Sequence, residues 1–172
     1  AAFNGCNSLV SIDIPEGVVS INGAAFHSCS SLKSINLPKN LKSLGDAAFE
    51  YCSSLTSITI PKSITSIGRS TFRFCTSLVS VDMPDGLTSI GNDAFAMCTS
   101  LKNINIPESV TSIASGAFQE TALVSITLPD NLTVIGDALI RGCNNLTAIV
   151  IPKNIESIGE WVFNGCSNLT TI

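Results

Sequence analysis

Apolar and polar residues alternate in a short segment of the chain that begins at Leu55. Leu55, Ile58 and Ile60 are predicted to point inward, and Ser57 and Thr59 outward, which is the pattern of a half-exposed β-strand. The segment recurs along the whole chain and each copy ends at a proline. The seven prolines lie 23 residues apart, with one interval of 22 residues. They are Pro15, Pro38, Pro61, Pro84, Pro107, Pro129 and Pro152. A fixed period in this range predicts a solenoid in which each repeat forms one coil.

The remainder of each repeat predicts two turns and a second extended piece. A turn-forming residue such as Gly17, Asn40 or Ser63 stands two positions after each proline, where we expect the coil to bend. Apolar Ile64 and Ile67 mark a second short strand. Most copies of that strand end at a glycine, where we expect a positive φ. An Ala-Phe pair follows, and we expect a helical or 3₁₀ turn there with the phenylalanines stacked inside.

One complete repeat reads LVSVDMPDGLTSIGNDAFAMCTS from Leu78, and the frame is L-x-x-I-x-I-P-x-x-L-x-x-I-G-x-x-A-F-x-x-C-x-x. This frame resembles the BspA-like (Treponema-type) leucine-rich repeat over essentially the entire chain. The resemblance implies a leucine-rich-repeat solenoid: a right-handed, curved coil, rich in strands, with short 3₁₀ or helical turns. Two repeats depart from the frame, because one loses a residue and its cysteine after Phe118 and the next has Ile140 in place of phenylalanine. We expect a local kink near 119–141.

The chain is predicted to be a single array of about seven units over residues 1–172. Because it begins and ends within a repeat, we expect it to be an excerpt of a longer array. The formal net charge of −4 and the absence of a basic stripe disfavour a nucleic-acid partner. No apolar run approaches the ~18 residues that a membrane-spanning helix needs.

The sequence offers no enzyme chemistry. One cysteine per repeat recurs at the same position, without the closely spaced pairs of a zinc site. We expect small buried hydrophobic residues there, with occasional disulfides or metal capture as the alternative. His27 is the only histidine and is predicted to face solvent, and no glycine-rich phosphate loop occurs. We therefore predict no catalytic site, no metal site and no cofactor.

Two surfaces are candidates for binding a partner, and the interpretation that they merely keep the protein soluble stays open for both. The first is the exposed side of the first strand, which we expect to be concave and to carry a mid-strand ladder of Asp13, Asn36, Thr59, Asp82, Asn105 and Thr127. The second is a patch of bulky residues, formed by Tyr51, Phe74 and Met97 before the cysteine on successive coils. Trp161 is added to this patch, either as an anchor for a partner or as a plug for the next coil.

The resemblance implies an extracellular or cell-surface module that binds host, matrix or neighbouring-cell proteins. Two alternatives stay open. One is an intracellular or structural scaffold that organises partners or self-assembles. The other, more remote, is binding of a glycan or ice surface by the hydroxyl ladder of Thr65, Ser66, Thr88, Ser89, Thr111 and Ser112.

Overall fold

The chain folds as a solenoid of short parallel strands, as predicted, in a computed structural model that describes all residues 1–172. Most coils contribute a first strand of three residues and a second strand of two. The first strands are β1 (Ser11–Asp13), β3 (Ser34–Asn36), β5 (Ser57–Thr59), β7 (Ser80–Asp82), β10 (Ser125–Thr127) and β12 (Ala148–Val150). The second strands are β2 (Ser20–Ile21), β4 (Ser43–Leu44), β6 (Ser66–Ile67), β8 (Ser89–Ile90), β9 (Ser112–Ile113), β11 (Val134–Ile135) and β13 (Ser157–Ile158).

Equivalent positions of successive repeats lie side by side. Ser57 of β5 pairs with Ser80 of β7, and Thr59 with Asp82, in a parallel register. The second strands pair in the same way, with Ile67 opposite Ile90. Because the register equals the repeat length, every side-chain type forms a row that runs from coil to coil.

The turn after each proline is also confirmed. The Ile64 N–H donates a hydrogen bond to the Pro61 carbonyl over 3.0 Å. The side chain between them reaches the preceding coil, where the Ser63 hydroxyl donates to the Leu41 carbonyl over 2.6 Å. The turn residue therefore also joins adjacent coils.

The prediction that the glycine after the second strand adopts a positive φ is wrong. Gly45, Gly68, Gly91, Gly136 and Gly159 all lie outside that region. Gly91 lies where two coils approach closely: a Cβ on Gly91 would lie 2.7 Å from the Gly68 carbonyl carbon. A Cβ on Gly45 or Gly159 would likewise lie under 3.0 Å from the backbone of the preceding coil, so at these three positions the constraint is close approach of backbones rather than a special dihedral angle.

The predicted helical or 3₁₀ turn is wrong as well. The segment around each Ala-Phe pair, here called the Ala-Phe segment (residues 46–51 around Ala48 and Phe49 in one coil), is a run of turns, and the chain contains no helix. Backbone N–H groups along the segment alternate between two kinds of acceptor. The Cys52 N–H donates to the Phe49 carbonyl within the segment, whereas the Phe49 N–H donates to the Thr71 carbonyl of the next coil. Two left-handed residues interrupt the segment, Ala47 with φ 54° and Tyr51 with φ 62°. A continuous helix cannot form through residues of that conformation.

The core is a continuous stack built from every coil. The rings of Phe3, Phe26, Phe49, Phe72, Phe95 and Phe118 stack in order. Centroids within this phenylalanine stack are 5.1 to 5.7 Å apart. Ile140 ends the stack but is itself fully buried. The predicted interior row of phenylalanines is thus confirmed.

The cysteines form a second interior row of free thiols, and all but Cys6 are buried, as expected for small hydrophobic residues. Each buried Sγ donates to a carbonyl of the preceding coil, as from Cys75 to Phe49 over 3.2 Å. Burial raises the thiol pKa of Cys52 and of Cys98 to about 12. In the repeat without a cysteine, the Thr121 hydroxyl donates to the Phe118 carbonyl over 2.9 Å. The chain has no helix with the length and apolarity needed to cross a membrane.

Candidate binding surface

The exposed side of the first strands, here called the first-strand face, carries most of the predicted ladder. In each of these strands the central residue points into the core and its two neighbours point outward, because side chains alternate along a strand. Asp13 lies opposite Asn36 and Thr59 lies opposite Asp82. All four are exposed. The pair β1–β3 and the pair β5–β7 are separate two-stranded sheets, but β3 lies next to β5, so the four side chains follow one another from coil to coil.

The row is interrupted at Asn105. Residues 103–105 form no strand, although Asn105 is exposed like its counterparts. Asparagine has a poor strand preference because its amide competes for backbone hydrogen bonds, and this segment carries two, Asn103 and Asn105. Thr127 lies beyond the gap and pairs with Val150. The ladder is therefore two blocks rather than one surface of six equal rungs.

A groove of about 930 Å³ runs along the longer block. Asn36, Thr59 and Asp82 line it. The structure thus brings three of the six predicted ladder residues to one depression, and Asp13, Asn105 and Thr127 do not line it.

The same groove has a charged rim that sequence reasoning missed. Glu16, Lys39, Lys62 and Asp85 line it, and all four are exposed. Each stands directly after the proline of its repeat. The turn after the proline places these side chains beside the end of the first strand. A tabulation of charge at that one repeat position would have found them.

The bulky residues of the second candidate surface form a ridge. The Tyr51 and Phe74 rings stack with centroids 4.6 Å apart, and the Arg73 guanidinium lies 5.0 Å from the Phe74 ring centroid. Tyr51 is 42% exposed, whereas Phe74 and Met97 are half-buried. All three adopt a left-handed conformation with φ near 60°. Glycine occupies this position in other repeats, so these three side chains are held at some backbone strain.

A polar network supports the ridge, and it corrects the expectation that His27 faces solvent. His27 is half-buried, with Nε2 3.6 Å from Glu50 Oε2, and Arg73 Nη1 lies 3.6 Å from the other Glu50 oxygen. The Ser28 hydroxyl lies 2.9 Å from His27 Nδ1. A serine, a histidine and a glutamate therefore meet, but the His27–Glu50 separation exceeds a hydrogen bond and Arg73 shares the carboxylate. The arrangement packs beneath Tyr51, whose ring meets His27 edge-on at 5.5 Å.

Trp161 does not belong to this ridge. It occupies a different repeat position, nearer the start of its Ala-Phe segment, and lies in a coil well beyond Met97. Trp161 is 62% exposed, and its indole N–H donates to Glu160 Oε2 over 3.2 Å. The four-residue patch predicted from sequence is therefore a three-residue ridge and a separate tryptophan.

The hydroxyl ladder is partly engaged with the backbone. Thr88 Oγ1 donates to the Thr65 carbonyl over 2.9 Å, and Thr111 Oγ1 donates to the Thr88 carbonyl over 3.4 Å. These bonds join neighbouring coils and reduce the number of free hydroxyl donors on that side.

The shortened repeat leaves a polar notch of about 470 Å³ in the row of cysteine turns. Thr121 and Ala122 lie within it, and Asn144 and Asn145 of the next coil line its wall. This depression lies where a kink is predicted near 119–141, and the kink itself stays a prediction.

Comparison with known proteins places the chain in a family. The model of the BspA type leucine rich repeat region matches six copies, over residues 1–119 and 65–172. The chain belongs to this family of repeat proteins, which are generally non-enzymatic protein-interaction modules.

Solved structures agree with this assignment. A leucine-rich repeat protein from Bacteroides ovatus is 37% identical with a TM-score of 0.91, over 95% of this chain and 45% of that protein. The T. pallidum leucine rich repeat protein is 33% identical with a TM-score of 0.88, over 94% of this chain and 78% of the other. The pneumococcal vaccine antigen PcpA shares the fold at 21% identity and a TM-score of 0.60, over 93% of this chain and 55% of that antigen. None of the curated proteins is significantly similar. The chain spans less than half of the Bacteroides ovatus protein.

Proposed function

We propose that this array is an adhesin-like module that binds a host, matrix or neighbouring-cell protein through its first-strand face. The observation that carries the proposal is the groove of about 930 Å³ around Asn36, Thr59 and Asp82. These side chains are small and project from short strands, of which β5 and β7 are hydrogen-bonded to each other. A partner therefore approaches closely and meets fixed polar groups with little ordering of the module itself.

The cell-surface or secreted location is part of the proposal and rests on family resemblance. It requires that the complete reading frame carry a signal peptide or a surface anchor. Accessibility of the array to antibody or protease on intact cells tests the location independently of any ligand. Labelling that appears only after lysis would favour the intracellular scaffold instead.

A substitution in the groove tests the binding surface. We expect Thr59→Arg to weaken binding to a panel of immobilised extracellular-matrix proteins and host cells by at least tenfold, because an arginine fills the groove floor. Asn105→Arg should have a smaller effect, since Asn105 does not line the groove. Thr65→Arg is the matched control, because Thr65 is an exposed threonine of the same coil on the second strand's side.

Three results would redirect the proposal. If Thr59→Arg binds as the parent does while Tyr51→Ala/Phe74→Ala does not, the aromatic ridge is the site. A loss confined to Thr65→Arg would favour the hydroxyl ladder. Concentration-dependent assembly in light scattering, with no binding to the panel, would favour a self-associating scaffold.

A further inference from the structure

We infer that the groove recognises an extended protein segment in which one acidic and one basic side chain are separated by a single residue. The inference rests on the proposed function, because the groove belongs to the first-strand face. It adds the chemistry of the partner, which neither the family nor its solved relatives specify.

The positive half of the recognition site consists of two lysines. Lys39 and Lys62 occupy the same repeat position on adjacent coils, and both are exposed in the groove rim. Neither forms a salt bridge, since the two ion pairs of the structure both involve Glu50. The nearby Glu16 carboxylate accepts the Lys39 backbone N–H over 3.2 Å, so this carboxylate is directed toward the main chain. An incoming carboxylate therefore meets two free ammonium groups.

The negative half lies one coil further along. Asp82 projects from β7 on the groove floor, and Asp85 follows in the rim of the same coil. Both are exposed and neither forms a salt bridge. A cationic side chain between them would face two carboxylates.

The distance between the two halves sets the spacing of the ligand's charges. Adjacent parallel strands lie ~4.8 Å apart, so the midpoint of the two lysine rungs is about one and a half spacings, roughly 7 Å, from the Asp85 rung. An extended chain advances ~3.3 Å per residue, and residues i and i+2 project to the same side. Two residues therefore span roughly the distance required. Adjacent charges would fall short, and charges three apart would project to opposite sides.

The mixture of charges favours a protein over a glycan. A neutral glycan would leave both lysines and both aspartates of the two halves without partners. An acidic glycan would be repelled by Asp82 and Asp85. The aromatic side chains on which sugars stack, Tyr51 and Phe74, do not line the groove. A polypeptide carries both signs of charge at fixed spacing.

Selection from a displayed library of random twelve-residue peptides on the immobilised array tests the inference. We expect the selected peptides to share an acidic and a basic residue separated by one position, in one fixed order. Binding of a synthesised selected peptide should weaken as sodium chloride rises from 50 to 500 mM, because the interacting charges are exposed.

Charge reversal on the array provides the decisive comparison. Lys39→Glu/Lys62→Glu should reduce affinity for the selected peptide by at least about tenfold, and should select peptides without the acidic residue. Lys153→Glu is the matched control, because Lys153 holds the same repeat position outside the groove and should change affinity less than twofold. Circular dichroism confirms that each variant remains folded.

Three outcomes would overturn the inference: no enriched peptide, selected peptides without the spaced charges, or equal loss in the Lys153→Glu control. These outcomes are distinguishable from failure of the proposed function. If Thr59→Arg still abolishes binding to a matrix protein, the face is the binding site but its ligand is not a segment with this charge pattern.

Discussion

Removal of one ring from the phenylalanine stack tests how the solenoid is held together. Phe72 is fully buried, and its centroid lies 5.6 Å from that of Phe49 and 5.3 Å from that of Phe95. Phe72→Ala leaves a cavity in the middle of the array. The two neighbouring rings belong to adjacent coils, so the substitution weakens both interfaces of its coil at once.

The expected loss follows from burial and stacking. Replacing a core phenylalanine by alanine costs about 3–5 kcal/mol of unfolding free energy. Each stacked pair contributes about 0.5–1.5 kcal/mol beyond burial, and two pairs are lost here, so we expect the upper part of that range. Phe118→Ala is the matched control: Phe118 is equally buried but stacks only on Phe95, with Ile140 on its other side. Phe118→Ala should therefore lower the unfolding free energy by less than Phe72→Ala does, and the difference should be the contribution of one stacked pair, about 0.5–1.5 kcal/mol.

Urea denaturation followed by two probes measures both the loss and its extent. Far-ultraviolet circular dichroism reports all coils, whereas fluorescence of Trp161, the sole tryptophan, reports the last complete coil. Coincident transitions indicate one cooperative unit, and separated transitions indicate that the weakened coil divides the array. Equal losses for Phe72→Ala and Phe118→Ala, or a loss below about 2 kcal/mol for Phe72→Ala, would refute the account of the stack.

Two further predictions concern the glycines and the thiols. Gly91→Ala should destabilise the array by about 1–3 kcal/mol, because the new Cβ would lie 2.7 Å from the Gly68 carbonyl carbon. Gly86→Ala is the control, because the nearest atom to its Cβ is 4.0 Å away. This variant should be neutral or stabilising by up to about 1 kcal/mol. Equal thermal denaturation midpoints for these two variants would contradict the close-approach explanation. Stability should fall above pH 9, because folding raises the pKa of Cys52 and Cys98 from 9.0 to about 12 and only the unfolded chain loses these protons between those values. Urea titrations at pH 8 and pH 10.5 measure this fall in stability. Cys98→Ser keeps a hydrogen-bond donor but has no thiol to titrate, so the fall should be smaller in this variant. An unchanged pH dependence in Cys98→Ser would show that Cys98 does not contribute to the fall.

Much of the fold was predictable because one short pattern is repeated. Alternation of apolar and polar residues around Ile58 identified the first strand. The nearly constant interval between prolines identified the length of one coil, after which the next first strand lies beside the previous one. The interior positions of Phe72 and Cys75 followed, since an apolar residue that recurs in nearly every repeat stacks on its counterparts in the adjacent coils. The candidate face was predictable for the same reason, as the outward neighbours of a buried strand residue.

The sequence by itself therefore determined the period, the strands and the interior rows, because alternation and repetition are local properties of the chain. Tertiary structure decided the conformation of the Ala-Phe segment: hydrogen bonds to the next coil favour left-handed residues such as Ala47 and Tyr51 over a helix. It decided the role of Gly91, which depends on backbone contact with the adjacent coil. It also decided which ladder residues share a groove with Lys39 and Lys62, because that grouping depends on how the proline turn directs side chains from separate repeats toward one surface.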